Sequence, residues 1–316
     1  MRSGTRPLLL AVLAAVPGRA ATQEPPPLDN LVKRFAAMTA VSGYEQRMAD
    51  TLGTLLPGAR RDRAGNVVIT LGAGEPKSLI ACAMDEPGYV VGGIRPDGYL
   101  TLRRVGRGRG GLTDQQLEGQ RVTVWGKRGA VPGVVGVKSI HLTNGRAPQP
   151  DTPFSVDDAI VDVGADGASA AAALGIGVLA PVALYKRPHV YADSLVAAPA
   201  VGRRAACAAL IRAAQTTTPA RGSVVVAFVV EQQFTRRGLL TVGRNMGPFT
   251  DALLLEGGAG GAERLGNTTS PDPTTMSSFE TWLLPVRYAG TPVETVSLRE
   301  AAALERGLTF RIRGGE

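Results

Sequence analysis

The feature that most constrains the fold is an apolar run at residues 79–83 that passes directly into an acidic turn at residues 84–88. The run contains only Leu, Ile, Ala and Cys, and the turn that follows it ends at Pro87-Gly88. Five such residues before a turn are typical of a strand that is buried on both faces. The sequence therefore predicts a buried strand that presents the carboxylates of Asp85 and Glu86 at its end.

Helical and strand patterns alternate along most of the chain. Residues 28–56 carry apolar residues at helical spacing on both sides of a turn, in which Ser42 and Glu45 are placed as a capping box for the second helix. Further helices are predicted at 203–214 and 236–246, and further strands at 67–71, 223–231, 251–256 and 283–288. Pro285 places the last strand at a sheet edge. This alternation predicts an α/β sheet covered on both faces.

The part of the chain between residues 89 and 185 has a different character. It carries short strand patterns at 121–125 and 133–137, dense glycine turns and one Ala-rich helix at 169–174. We interpret it as a small β-rich, barrel-like domain. The predicted organisation is a discontinuous α/β domain, residues 28–88 and 186–316, into which residues 89–185 are inserted.

The first 20 residues have the pattern of a secretory signal peptide, with two early arginines, an apolar run at residues 8–16 and small residues after it. Residues 21–27 follow as a Pro-rich linker. The apolar run is shorter than the roughly 20 residues that span a membrane, and no later segment is suitable. We expect export to the periplasm or the outside of the cell, and no membrane span.

The charge of the chain does not indicate nucleic-acid binding. The formal charge is +8, and three of the positive charges belong to the predicted signal peptide. The densest basic cluster consists of Arg103, Arg104, Arg107 and Arg109. No aromatic residue is interleaved there to stack on bases, so we expect no nucleic-acid partner.

Several motifs follow the order found in the tetrahedral aminopeptidase family, the dinuclear zinc enzymes that include glutamyl and deblocking aminopeptidases. The motifs are residues 42–45, 62–66, 82–88, 119–122, 133–136 with nearby His141, 161–165 and 287–294. The chain resembles this family over most of its mature length. The resemblance implies a three-layer α/β/α zinc-exopeptidase-like domain, and self-association into a homo-oligomer through the insert.

The same resemblance implies that most zinc ligands are absent. The positions that lose a ligand or the general base are Ala83, Val201, Gln232, Gln233 and Gly290. Ala83 and Gly290 replace the two histidines, and Val201 falls at the bridging Asp. Gln232 and Gln233 fall at the general-base Glu and the adjacent ligand Glu. Glu256, which matches a ligand Asp, and Asp85, which matches the Asp behind the first His, remain acidic.

These losses favour an exported, catalytically inactive homologue that acts as a binding or assembly scaffold and holds no cofactor. Peptides or amino acids in the vestigial cleft are its expected ligands. The alternative is an active metal-dependent aminopeptidase that binds zinc through non-standard ligands. A third hypothesis is metal-free acid–base chemistry by Asp85, Glu86, Glu231, Glu256 and Cys82. Against it, these acids are expected to pair with Arg203, Arg204 or Arg236.

Cysteine and histidine are too few in this chain for a disulfide framework or a histidine-rich metal site. Cys82 and Cys207 are the two cysteines, and buried free thiols are expected. The implied fold brings them close together, so a single bridge is the alternative. His141 and His189 are the two histidines, and neither is expected to bind a metal.

Overall fold

The computed structural model describes residues 25–106, 111–136, 154–258 and 280–314. The predicted signal peptide and residues 21–24 of the predicted linker lie outside the described residues, as do Arg107, Arg109 and His141. Within the described ranges, no helix is long and apolar enough to cross a membrane.

Helices and strands alternate in the described residues. The helices are α1 (Leu28–Ala36), α2 (Gln46–Leu55), α3 (Ala168–Ala173), α4 (Val201–Thr216), α5 (Arg237–Met246) and α6 (Leu298–Arg313). The strands are β1 (Arg60–Arg61), β2 (Val67–Gly72), β3 (Lys77–Ala83), β4 (Gly88–Ile94), β5 (Leu100–Val105), β6 (Arg121–Gly126), β7 (Gly129–Val135), β8 (Ile160–Asp162), β9 (Pro181–Leu184), β10 (His189–Tyr191), β11 (Leu195–Ala197), β12 (Ser223–Val229), β13 (Asp251–Gly258), β14 (Glu280–Arg287) and β15 (Thr295–Ser297).

Nine strands form one sheet in the order β1-β2-β12-β3-β13-β14-β15-β11-β10. Strand β3 lies between β12 and β13 and is parallel to both. Every residue from Leu79 to Ala83 is buried, so the predicted buried strand is confirmed. The prediction that Pro285 marks an edge strand is wrong, because β14 pairs with β13 on one side and with β15 on the other.

Helices cover both faces of this sheet. Successive side chains of a strand point to opposite faces. Accordingly, Ile80 and Cys82 lie in the core beneath α1, α2, α4 and α6, whereas Leu79, Ala81 and Ala83 lie in the core beneath α5. The two cores define a three-layer α/β/α arrangement, as predicted.

Strands β4 to β9 form a closed barrel in the order β4-β5-β8-β7-β6-β9. Its interior is a separate apolar core that includes Val91, Leu102 and Val124. The chain leaves the sheet after β3 to enter the barrel and leaves the barrel after β9. The β-rich, barrel-like insert is therefore present in the structure.

The predicted capping box at the start of α2 is wrong. The helix begins at Gln46, its N-cap residue is Glu45, and no side chain caps it. The Ser42 hydroxyl instead donates to a carboxylate oxygen of Asp85. A local capping prediction fails here because a distant carboxylate takes the hydroxyl.

Candidate functional site

The predicted site positions meet at one edge of the sheet. The carboxyl ends of parallel strands share an edge, which is the usual ligand site of α/β sheets. Ala83 ends β3, Gln232 and Gln233 follow β12, Glu256 lies near the end of β13, and Val201 begins α4. Gly290 lies between β14 and β15, and its carbonyl accepts a hydrogen bond from Gln116 Nε2 at 2.6 Å.

Five side chains at this edge form what we call the strand-end cluster: Gln232, Gln233, Glu256, Asp85 and Arg203. Gln232 Nε2 donates to Glu256 Oε1 at 3.1 Å. Among the described residues, Gln232 Oε1 is buried without a hydrogen-bond partner. The position of the predicted general base is thus an amide that donates to the retained acid.

Asp85 is fully buried in the strand-end cluster. Besides the Ser42 hydroxyl, it accepts a hydrogen bond from the backbone N–H of Gln233 at 3.2 Å. Arg203 Nη1 lies 3.6 Å from Asp85 Oδ1. With its amide oxygen turned towards Arg203, Gln233 accepts from both Nη atoms at 3.2 Å. A guanidinium therefore supplies the positive charge beside these positions.

Glu86 points away from Asp85 into a second group, which we call the crossing cluster because it lies where the chain passes between sheet and barrel. Its members are Glu86, Lys186 and Arg204. Lys186 Nζ and Arg204 Nη2 both contact Glu86 Oε2, the latter at 3.1 Å. Glu86 Oε1 accepts from the backbone N–H of Ala40 at 2.9 Å, and Lys186 also donates to Pro199 O at 2.9 Å.

Burial and charge shift the pKa values of these groups. Burial lowers the pKa of Lys186 to about 8, although the carboxylate of Glu86 opposes this shift. Burial acts to raise the pKa of Glu86, but the charges of Lys186 and Arg204 outweigh it and hold that pKa below its usual value. Burial also raises the pKa of Glu45, whose carboxylate accepts from the backbone N–H of Gly43 and Glu231. Glu86 is therefore charged and already paired inside the protein.

The residues that the structure describes do not fit a dinuclear zinc centre. Zinc takes about four ligands from His, Cys, Asp or Glu in a structural site and about three in a catalytic one. Among the described residues, no group of three or more such side chains could hold a metal ion. The orphaned Gln232 Oε1 adds only one neutral oxygen to Glu256.

The bridging Asp of the family was matched to Val201, and matching it to the next residue of α4 instead does not restore a ligand. Val201 is fully buried in the apolar core. At the next position, a Cβ on Gly202 would lie 2.7 Å from Val286 Cγ1 and 3.0 Å from Gly257 Cα. Neither position can present a carboxylate to the sheet edge without moving the helix.

The expectation that the acids pair with Arg203, Arg204 or Arg236 is met in two cases, Asp85 with Arg203 and Glu86 with Arg204. Glu231 instead pairs with Arg237, at 3.0 Å. The acids named for metal-free catalysis therefore do not converge on one point. Sequence analysis missed Lys186, whose only signal was its place at the predicted boundary between the insert and the second part of the α/β domain.

The expectation of two free thiols is wrong. Cys82 and Cys207 are joined by a disulfide, with their Cα atoms 5.6 Å apart. Strand β3 and helix α4 bring the two residues together across 125 positions of sequence. His189 is exposed and stacks on Tyr191, away from the site positions.

The model of the M42 glutamyl aminopeptidase family matches residues 65–248, which is more than half of the chain. The chain belongs to the M42 glutamyl aminopeptidase family. The matched residues include Ala83, Val201, Gln232 and Gln233, so the positions at which the resemblance implies lost ligands lie within the M42 match. The resemblance seen in the sequence motifs is thereby confirmed.

Curated relatives agree with the M42 assignment. SgcX, an inferred aminopeptidase of Escherichia coli (strain K12), is 36% identical over 222 residues, which are 66% of this chain and 57% of SgcX. Lysyl aminopeptidase of Pyrococcus furiosus is 28% identical over 218 residues, which are 66% of this chain and 60% of that enzyme. The M42 chain described here thus spans well under two thirds of the length of these relatives.

Solved structures share the fold of this M42 chain. The TET1 peptidase of Pyrococcus horikoshii, which can assemble into a tetrahedron or a large octahedral shell, superposes with a TM-score of 0.80 at 22% identity. The match covers 91% of this chain and 100% of TET1. It confirms the predicted fold, a layered α/β domain with an inserted barrel.

Proposed function

We propose that this M42 member has lost the metal-dependent peptidase reaction and acts as an exported binding or assembly protein. The observation that carries the proposal is the pair Gln232–Glu256. Where the resemblance places a general base, an amide donates a hydrogen bond to the one acid retained among the ligand positions. An amide does not accept a proton at neutral pH, so it cannot activate water as a carboxylate can.

Charge balance supports the same proposal. Buried carboxylates are costly unless a cation or several hydrogen bonds compensate them. Arg203 lies beside Asp85, and Lys186 with Arg204 surrounds Glu86. Asp85 and Glu86 are thus compensated by the protein's own cations. We infer that folding does not require zinc.

The test is metal analysis combined with a peptidase assay. The mature protein would be analysed by inductively coupled plasma mass spectrometry, and then incubated with mixed peptides with and without zinc or cobalt. The lysyl aminopeptidase of Pyrococcus furiosus serves as the active control. We expect less than stoichiometric metal and no released amino acids. Stoichiometric metal with metal-dependent release would instead establish an aminopeptidase with non-standard ligands.

The ligand and assembly proposals have separate tests. Peptides or amino acids are the proposed ligands because the relatives named above are aminopeptidases, and calorimetric titration with the peptide mixture would detect them. Self-association through the barrel is proposed because TET1 forms closed shells. Light scattering after size exclusion should give a multiple of the chain mass, and a strict monomer would contradict this proposal.

Export is proposed from the signal-peptide pattern alone. If the full chain is produced in a bacterium with an intact secretion pathway, the intact mass of the exported protein should lack residues 1–20. Retention of the complete N-terminus in the cytoplasm would contradict export.

A further inference from the structure

The Cys82–Cys207 bond joins the most central part of the molecule. Cys82 lies on β3, level with Phe228 of β12 and Leu255 of β13. Cys207 lies in the second turn of α4, and both cysteines are fully buried. The bond therefore ties the helix layer to the middle of the sheet.

The bond also closes a covalent loop of the chain that contains the whole barrel. The cysteines are separated by 125 positions in sequence, and the segment between them contains all six barrel strands, from Gly88 to Leu184. A cross-link across a long loop strongly restricts the unfolded chain. Since the chain has two cysteines, neither has another partner within it.

The position of the bond relative to the lost ligands is informative. Ala83, at the first His position, follows Cys82 directly. Val201, at the bridging Asp position, lies on α4 together with Cys207. The bond thus links the same two elements that those ligand positions would connect through metal.

We propose that the Cys82–Cys207 disulfide is a permanent structural fastener that holds α4 on β3 in this chain. Each thiol gives up one proton and one electron when the S–S bond forms. The two electrons and two protons reduce a disulfide oxidant of the exported compartment to a dithiol. Because both sulfur atoms are buried, the bond is closed to reductants until the protein unfolds. The comparison with metal ligands and the oxidising compartment both rest on the proposed function, whereas the meeting of the two sulfur atoms between β3 and α4 does not.

The first test counts thiols. The mature protein, purified from an oxidising compartment, is denatured and alkylated with iodoacetamide before and after reduction. We expect no alkylated cysteine before reduction and two after it, with one cross-linked peptide containing Cys82 and Cys207. Two alkylated cysteines before reduction would overturn the proposal, even if no variant can be made.

The second test is a double-mutant cycle of melting temperatures. Cys82→Ala, Cys207→Ala and the double variant should each lose about the same amount, about 10 °C, because each removes the same single bond. The single variants are kept in a reductant until measurement, so that the remaining thiol does not form intermolecular bridges. Losses that add would show two independent apolar side chains and would overturn the fastener. Metal dependence of activity or melting would bear on the proposed function and would leave both tests unchanged.

Discussion

At the scale of single residues, the proposed exchange of charge for amide lies at the carboxyl end of β12. By the sequence resemblance, Gln232 and Gln233 fall at carboxylate positions of the family, and both amides form hydrogen bonds with their neighbours. The local chemistry is therefore that of a compensated protein interior. Reintroduced charge should be poorly tolerated there.

Replacing Gln232 with Glu tests this expectation. The new carboxylate would face Glu256, and the two like charges would raise the pKa values of the pair in the folded state. A raised carboxyl pKa destabilises the fold above that pKa and not below it. We expect a loss of about 1–3 kcal/mol in the free energy of unfolding at pH 7.5 and a smaller loss at pH 5, measured by urea denaturation.

The uncharged variant Gln232→Leu is the matched control, because it removes the hydrogen bond without adding charge. Its loss should be the same at both pH values. An equal loss of the Glu variant at pH 5 and pH 7.5 would contradict the argument.

The crossing cluster gives a pH-dependent prediction. The pKa of Lys186 falls from 10.5 to about 8 on folding, so between these values the unfolded chain binds more protons than the folded protein. Stability contributed by this group therefore rises as pH increases from about 8 to 10.5. The free energy of unfolding of the wild type, minus that of Lys186→Met, should increase over this window in urea titrations. The exposed Lys127→Met variant should show no such difference, and a difference that decreases with pH would refute the assignment.

At the scale of elements, the close approach of α4 to β13 depends on two glycines. A Cβ on Gly202 would lie 2.7 Å from Val286 Cγ1 and 3.0 Å from Gly257 Cα. Position 202, in the first turn of α4, consequently has no room for a side chain. This packing also keeps position 202 free of any ligand.

The substitution Gly202→Ala should destabilise the protein by about 1–3 kcal/mol because of overpacking. Gly53→Ala is the matched control: Gly53 lies inside α2, and its Cβ would meet nothing within 4 Å. This change should stabilise the protein by up to about 1 kcal/mol through helix propensity. Thermal unfolding of both variants measures these changes in stability. An equal change in melting temperature for the two variants would contradict the packing argument.

Most elements could be predicted from the sequence because their patterns are local. The predicted helix at 203–214 is shorter than α4 by two residues at each end, and the predicted helix at 236–246 differs from α5 by one residue at its start only. Helix α6 was not predicted, since its amphipathic face is interrupted by arginines and glutamates. The edge assignment of β14 failed because the antiparallel pairing with β15 begins only at Val286, after Pro285.

The site was less predictable because its contacts join distant segments. Glu86 and Lys186 are 100 positions apart, and only the fold places both chain crossings side by side. The positions of the former ligands were assigned through the family resemblance, and the loss of the ligands stays a prediction. The hydrogen bonds found at these positions could not be predicted, since they depend on side-chain directions.

At the scale of the whole molecule, stability should be independent of metal. A ligand present at 100 times its Kd stabilises the folded state by about 2.7 kcal/mol, which is a shift of several degrees in a protein of this size. We expect the melting temperature to be unchanged within experimental error by zinc, cobalt or EDTA. A melting temperature that rises with zinc, in calorimetric scans of the mature protein, would show that a metal site exists.

The strand order has a consequence for the order in which the protein can be made. Strands β2 and β3 do not pair with each other, because β12 lies between them. During synthesis both strands therefore emerge long before Ser223–Val229, while the barrel can already close on its own contacts. The nascent chain must keep the apolar run at residues 79–83 from aggregating over that interval. A truncation between β9 and β12 should yield a folded barrel attached to an N-terminal segment that has no sheet to join.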